Sequence, residues 1–161
     1  MAAPNLRTAF VRAEGRGALA ANVAVLLTAT IAINGFLFAV GWATPGRHMP
    51  MIPPGAVVGL IWTVLLGLMG AARWVYVQRS GDHGWRSWTP YMLGALCIAY
   101  PFYTGGLQRN QAALWGTVVT LIAALIVMLV LRRRDARSPW LLVPTAVWGG
   151  YVLSVMIAYP A

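Results

Sequence analysis

The chain alternates between long apolar runs and short polar breaks, and the runs set its architecture. Five runs, at about 18–42, 54–77, 88–106, 111–131 and 139–159, each approach the ~20 residues that carry a helix across a bilayer core. None shows the period-two alternation that a lipid-facing barrel strand keeps over roughly ten residues. The expected fold is therefore all-α and membrane-integral, a five-transmembrane-helix bundle forming one domain over 1–161. The breaks agree. Ala43–Pro53 holds Pro45, Gly46, Pro50 and Pro53, which no helix interior tolerates, and Pro54 suits a helix start. Gln78–Ser87 contains Gly81, Asp82 and Gly84, a turn composition, and Arg132-Arg133-Arg134-Asp135 ends the fourth run. Met1–Gly17 is expected as a short helix at the interface. The first run is too long for the core of a cleavable signal peptide.

Composition narrows the solvent. Of 161 residues, 60% are hydrophobic and 9% charged, against about a quarter charged in a soluble domain. The chain cannot cover itself with polar groups in water, so lipid is its solvent and helices satisfy its backbone. All twelve basic residues are Arg, giving a net charge of +9. They sit between apolar runs rather than along one face, so nucleic acid is not an expected partner. With five spans, Arg7, Arg12, Arg16, Arg73, Arg79, Arg86, Arg132, Arg133, Arg134 and Arg137 fall on one side and Arg47 and Arg109 on the other. The positive-inside rule makes the Arg-rich side cytoplasmic. This places the N-terminus in the cytoplasm and the C-terminus in the periplasm, with the bacterial inner membrane the expected host. The lone Cys97 permits no disulfide within the chain.

Chemistry is sparse. No carboxylate or His lies inside a run, so ion-coupled transport and acid–base catalysis have little to draw on. No metal site is expected; His48 in the outer loop is a weak candidate ligand for a haem iron, although a lone loop His is more often simply solvated. Most of the eight Trp fit interfacial belts: Trp74, Tyr76, Trp85, Trp88, Tyr91 and Trp140 on the cytoplasmic side, Trp42, Tyr100, Tyr103, Trp115 and Tyr159 on the outer. Trp62 and Trp148 lie deeper. Either each packs on a neighbouring helix and bonds a carbonyl freed by Pro101 or Pro144, or the two line an aromatic cavity for a flat apolar ligand.

The stretch from Pro53-Pro54-Gly55 through Gly59, Trp62 and Leu65 to Met69-Gly70 resembles the signature of the translocator protein family. Its members are also called tryptophan-rich sensory proteins or peripheral-type benzodiazepine receptors (TspO/MBR). Val143-Pro144-Thr145-Ala146-Val147-Trp148 is similar to a second family segment, V-P-Y-x-x-W. Leu66 and Thr145 stand where the family has Tyr, Met156 where it has a late Asn, and Ile98–Tyr103 replaces its N-x-x-W-x-x-x-F-F stretch. The resemblance identifies a divergent bacterial member and implies a five-helix bundle, usually a homodimer, with one ligand cavity closed by the first loop. Carried over, Trp62, Leu66, Trp148 and Val152 line that cavity; Tyr100 and Tyr103 are candidates by location, and Trp42 caps it by analogy. The implied ligands are a porphyrin or haem, with sterols in some members, and no cofactor is required.

The function expected is a membrane sensor or regulator that binds tetrapyrroles, with propionates directed to Arg47 or Arg109. Alternatives are an accessory subunit of a larger, pigment-containing membrane complex, and a lipid or sterol carrier. An enzymatic role, light-dependent porphyrin breakdown, is a minor alternative.

Overall fold

The computed structural model describes residues 6–14, 17–42, 51–104 and 110–159, and all regular structure among them is helical. Six α-helices follow in order: α1 Leu6–Val11, α2 Ala18–Ala39, α3 Gly55–Ser80, α4 Trp85–Tyr103, α5 Asn110–Arg132 and α6 Val143–Ala158. A 3-10 segment, Ser138–Leu142, leads into α6. Four stretches are long and apolar enough to cross a membrane: Ala18–Leu37, Gly55–Ser80, Gln111–Arg132 and Ser138–Ala158. The third expected span, α4, falls short of that standard, because it carries Arg86, several aromatics, Pro90 and Pro101. The fold is thus an all-helical membrane protein with four clear spans among the described residues, and the short α1 lies within the stretch expected as an interfacial helix.

Helix ends follow local chemistry. Pro54 stands just before α3 at φ −53°, and Gly81 closes that helix in the left-handed region at φ 65°, its N–H bonded to the Val77 carbonyl. The Asp82 carboxylate accepts the Gly84 N–H at 2.8 Å, an Asx-type turn that starts α4 at Trp85, three residues ahead of the expected boundary. The carbonyl that Pro90 frees, that of Arg86, accepts the Thr89 hydroxyl at 2.7 Å. The Trp140 carbonyl freed by Pro144 accepts the Val143 N–H. Local donors therefore take up these proline-freed acceptors, without an indole.

Each long helix packs on the next: α2 on α3, α3 on α4, α4 on α5, α5 on α6. The 3-10 segment wedges against both α3 and α5, bringing the entry of α6 onto α3. Leu26, Leu66, Met69, Tyr76, Leu93, Leu131 and Leu142 fill the interior. Outward, Ile31, Phe36, Leu60, Met92, Leu129, Val147 and Ile157 are each more than 60% exposed, a surface suited to lipid and not to water.

The Arg-rich end is tied by carboxylates. Asp135 accepts Arg79 Nε at 2.9 Å and the Ser138 N–H at 2.7 Å, linking α3 to the entry of α6. Burial pushes the Asp135 carboxyl up, but the Ser138 N–H and Arg79 outweigh it and hold the group below its ordinary 3.8. Asp82 is likewise lowered, by the Gly84 N–H first and the Tyr76 hydroxyl second. A carboxyl lowered on folding binds its proton less tightly than in the unfolded chain. Its stabilisation is complete above the unfolded value and disappears as pH falls through the folded one. Thermal stability in detergent is expected to be level above about pH 5 and to drop below about pH 4, with a smaller drop in Asp135→Asn. A flat wild-type profile down to about pH 3 contradicts this assignment.

Candidate functional site

The expected site residues fall into three groups. Trp62 and Leu66 lie one turn apart on α3; Leu66 is 2% exposed and Trp62 packs half-buried on the same core. Trp148 and Val152 lie one turn apart on α6, where Trp148 meets Tyr151 at 5.6 Å between ring centres. The Tyr151 hydroxyl donates to the Met51 carbonyl, which ties this part of α6 to the segment leading into α3. Tyr100 and Tyr103 form an edge-to-face pair at 5.4 Å on α4. Their rings lie against Gly116 of α5, where an added Cβ would sit 2.6 Å from Tyr103 and 3.1 Å from Tyr100. The Tyr100 hydroxyl bonds the Ala113 carbonyl at 2.9 Å and reaches Thr117 at 3.1 Å. This pair fills the α4–α5 seam.

Trp42 stands apart, just beyond the end of α2, its ring tilted against Phe102 of α4 at 5.4 Å between centres. Among the described residues no aromatic contact joins Trp62 to Trp148, and neither indole makes a hydrogen bond. Arg47, His48 and Arg109 lie outside the described residues.

The most heavily bonded polar centre is one the charge pattern concealed. Arg73, counted above with the cytoplasmic charges, is 0% exposed and sits within α3, two turns before its end. Its guanidinium donates to the Phe10 carbonyl at 2.7 Å, the Val11 carbonyl at 2.8 Å and the Asn22 amide oxygen. The first two are at the end of α1, where helix carbonyls lack partners of their own. The guanidinium also lies 3.9 Å from the Trp88 ring centre and 5.5 Å from those of Phe10 and Tyr91, a cation–π cage. Asn22 donates to the Ala18 carbonyl at 2.8 Å, and Tyr91 donates to the Asn22 carbonyl at 2.6 Å.

Gln78 bonds the carbonyl of Ala13, whose φ of 54° is left-handed. The centre thus fastens α1 across α2, α3 and α4. Trp88 and Tyr91, expected in the interfacial belt, are parts of this cage, and Tyr76 is fully buried. Position offered a signal: Arg73 lies inside the apolar run 54–77, where a charge needs buried partners.

Among the described residues, two surface grooves stand out. One, of ≈ 590 Å³ between α2 and α4, is lined by Leu26, Ile33, Trp88, Tyr91, Met92 and Phe102 among others. The other, of ≈ 490 Å³, lies between α5 and the entry to α6. The seven expected site residues line neither.

A helical chain that turns its apolar side chains outward, ties its polar groups at one end and buries aromatics along its spans is an integral membrane protein. The TspO/MBR family model matches residues 18–159, and the chain belongs to that family. It is similar to the uncharacterized membrane protein YtaB of Bacillus subtilis (strain 168), with 24% identity over 139 residues covering 84% of this chain and 88% of the relative. No solved structure matches the chain.

Proposed function

We propose that the protein is a tetrapyrrole-binding sensor or regulator of the bacterial inner membrane. The observation that carries the reading is the pairing of family membership with Trp62 and Trp148, deep aromatics on α3 and α6 at the family's own signature positions. A porphyrin or haem stacks on these rings, with Leu66 and Val152 one turn further along each helix. Tyr100, Tyr103 and Trp42 make the outer boundary, and propionates reach Arg47 or Arg109. An apolar, aromatic-lined pocket with few polar groups suits a flat macrocycle.

In this reading α4 is also a span, the third of five. Its position between α3 and α5 supports that, and the short link from Ser80 to Trp85 makes α3 and α4 an antiparallel pair. The N-terminus is cytoplasmic and the C-terminus periplasmic, as the Arg distribution favours. The active form is a homodimer in contact with membrane lipid. The tetrapyrrole is a ligand and not a required cofactor, and the activity is binding rather than catalysis. Replacing Trp62 or Trp148 with Leu is expected to weaken porphyrin binding about fivefold, since each lost stacking surface is worth roughly 1 kcal/mol. Unchanged affinity and unchanged quenching of Trp fluorescence in the double variant would remove the pocket from this position.

A second reading, an accessory subunit of a larger membrane complex, draws support from the tight packing of Tyr100 and Tyr103 on Gly116. It predicts co-purification in mild detergent as a large stoichiometric assembly. The sensor reading predicts a homodimer.

A further inference from the structure

The groove between α5 and the entry to α6 combines two chemistries that the groove between α2 and α4 does not. Its apolar walls are Leu125, Met128 and Leu129 of α5 and Val143 of α6, and Arg132 and Trp140 stand at its polar end. From Leu125 to Arg132 the helix rises roughly 10 Å, much of the ~15 Å acyl depth of one leaflet. Arg132 therefore stands near headgroup level while the walls run beside the chains. Trp140 is 71% exposed, which sets its indole at the same boundary.

Among the described residues, Arg132 has no ion-pair partner. The ion pairs among the described residues are Arg79–Asp135 and Arg86–Asp82. Asp135 is further occupied by the Ser138 N–H. Arg132, Arg133 and Arg137 thus have no carboxylate within ion-pair distance among the described residues. An apolar slot ending in the Arg132 guanidinium complements a molecule with an acyl chain below an anionic phosphate.

We infer that this groove binds an anionic phospholipid, its acyl chain along Leu125, Met128, Leu129 and Val143 and its phosphate at Arg132. A zwitterionic lipid offers the same chain but sets an ammonium among the arginines. Inorganic phosphate offers the charge without the chain. Among the described residues the groove between α2 and α4 has no charged group in its lining, and so no basis for selecting a headgroup. The inference rests on the membrane placement of α5 and α6, and tetrapyrrole binding plays no part in it.

Native mass spectrometry of the purified full chain, with phosphatidylglycerol or phosphatidylcholine of identical acyl chains, tests it. Phosphatidylglycerol should be retained about fivefold better. Arg132→Gln should abolish that preference, and Leu129→Trp, which fills the slot with every Arg intact, should lower retention. Millimolar inorganic phosphate should displace nothing. Equal retention of the two lipids by the wild type would overturn the inference. So would an unaltered preference in Arg132→Gln, or displacement by phosphate, which would indicate a soluble-anion site. Should Arg132→Gln fail to fold, the wild-type comparison and Leu129→Trp still decide.

Discussion

Arg73→Met is expected to destabilise the protein by about 3 kcal/mol and to release α1, because it strands buried acceptors worth roughly 1–3 kcal/mol each. Methionine keeps much of the side chain's volume, so the loss is one of hydrogen bonding and charge more than of packing. The Phe10 and Val11 carbonyls and the Asn22 amide oxygen would all lose their donor. Arg73→Lys should rescue little, since an ammonium lacks the planar fork that meets several acceptors at once. Arg79→Met, on a partly exposed side chain, is the contrasting case and should cost much less. Amide hydrogen exchange across residues 9–14 and thermal unfolding in detergent provide the two readouts. Faster exchange at the N-terminal segment with a lower midpoint is expected for Arg73→Met. Wild-type exchange and midpoint in that variant would show that α1 is held by something else.

The second large effect is expected at Gly70, beneath the same centre. Here α2 and α3 approach so closely that a Cβ would fall 2.9 Å from the Val23 Cα and closer still to the Asn22 carbonyl oxygen. Both neighbours are backbone, so the clash can be relieved only by parting the helices. Gly70→Ala is expected to cost about 2–3 kcal/mol, the usual scale of core overpacking, and to disturb Asn22 and its bond to Arg73. Gly59→Ala on the same helix has open space at its Cβ. It should be neutral or slightly stabilising, because alanine is the better helix former. Thermal midpoints for the pair of variants check this directly. Equal midpoints would mean that α2 and α3 are further apart than the structure places them.

These two positions show where sequence reading stops. Apolar run length located the helices, and their ends came within a few residues where Pro54 or Gly81 punctuates the chain. The start of α4 was missed because a side chain, Asp82, builds the turn before it. Arg73 was assigned to the cytoplasmic charges because a charge count sees only neighbours in sequence. Its partners at Phe10, Val11 and Asn22 lie 63, 62 and 51 residues away. The belt pattern was incomplete for a related reason. Trp88 and Tyr91 stand at interfacial depth, and depth alone does not reveal that they face a buried guanidinium. Trp62 and Trp148 were legible as deep aromatics, and as family positions, since both facts are local. Their partners across the bundle belong to long-range packing, which no local pattern encodes.

The most direct test of the tetrapyrrole reading is titration of the detergent-solubilised protein with protoporphyrin, haem and a sterol, following Trp fluorescence and Soret absorbance. Saturable quenching by a porphyrin with a midpoint of order micromolar, and no response to the sterol, is the predicted result. No saturable change with any of the three would contradict the tetrapyrrole reading.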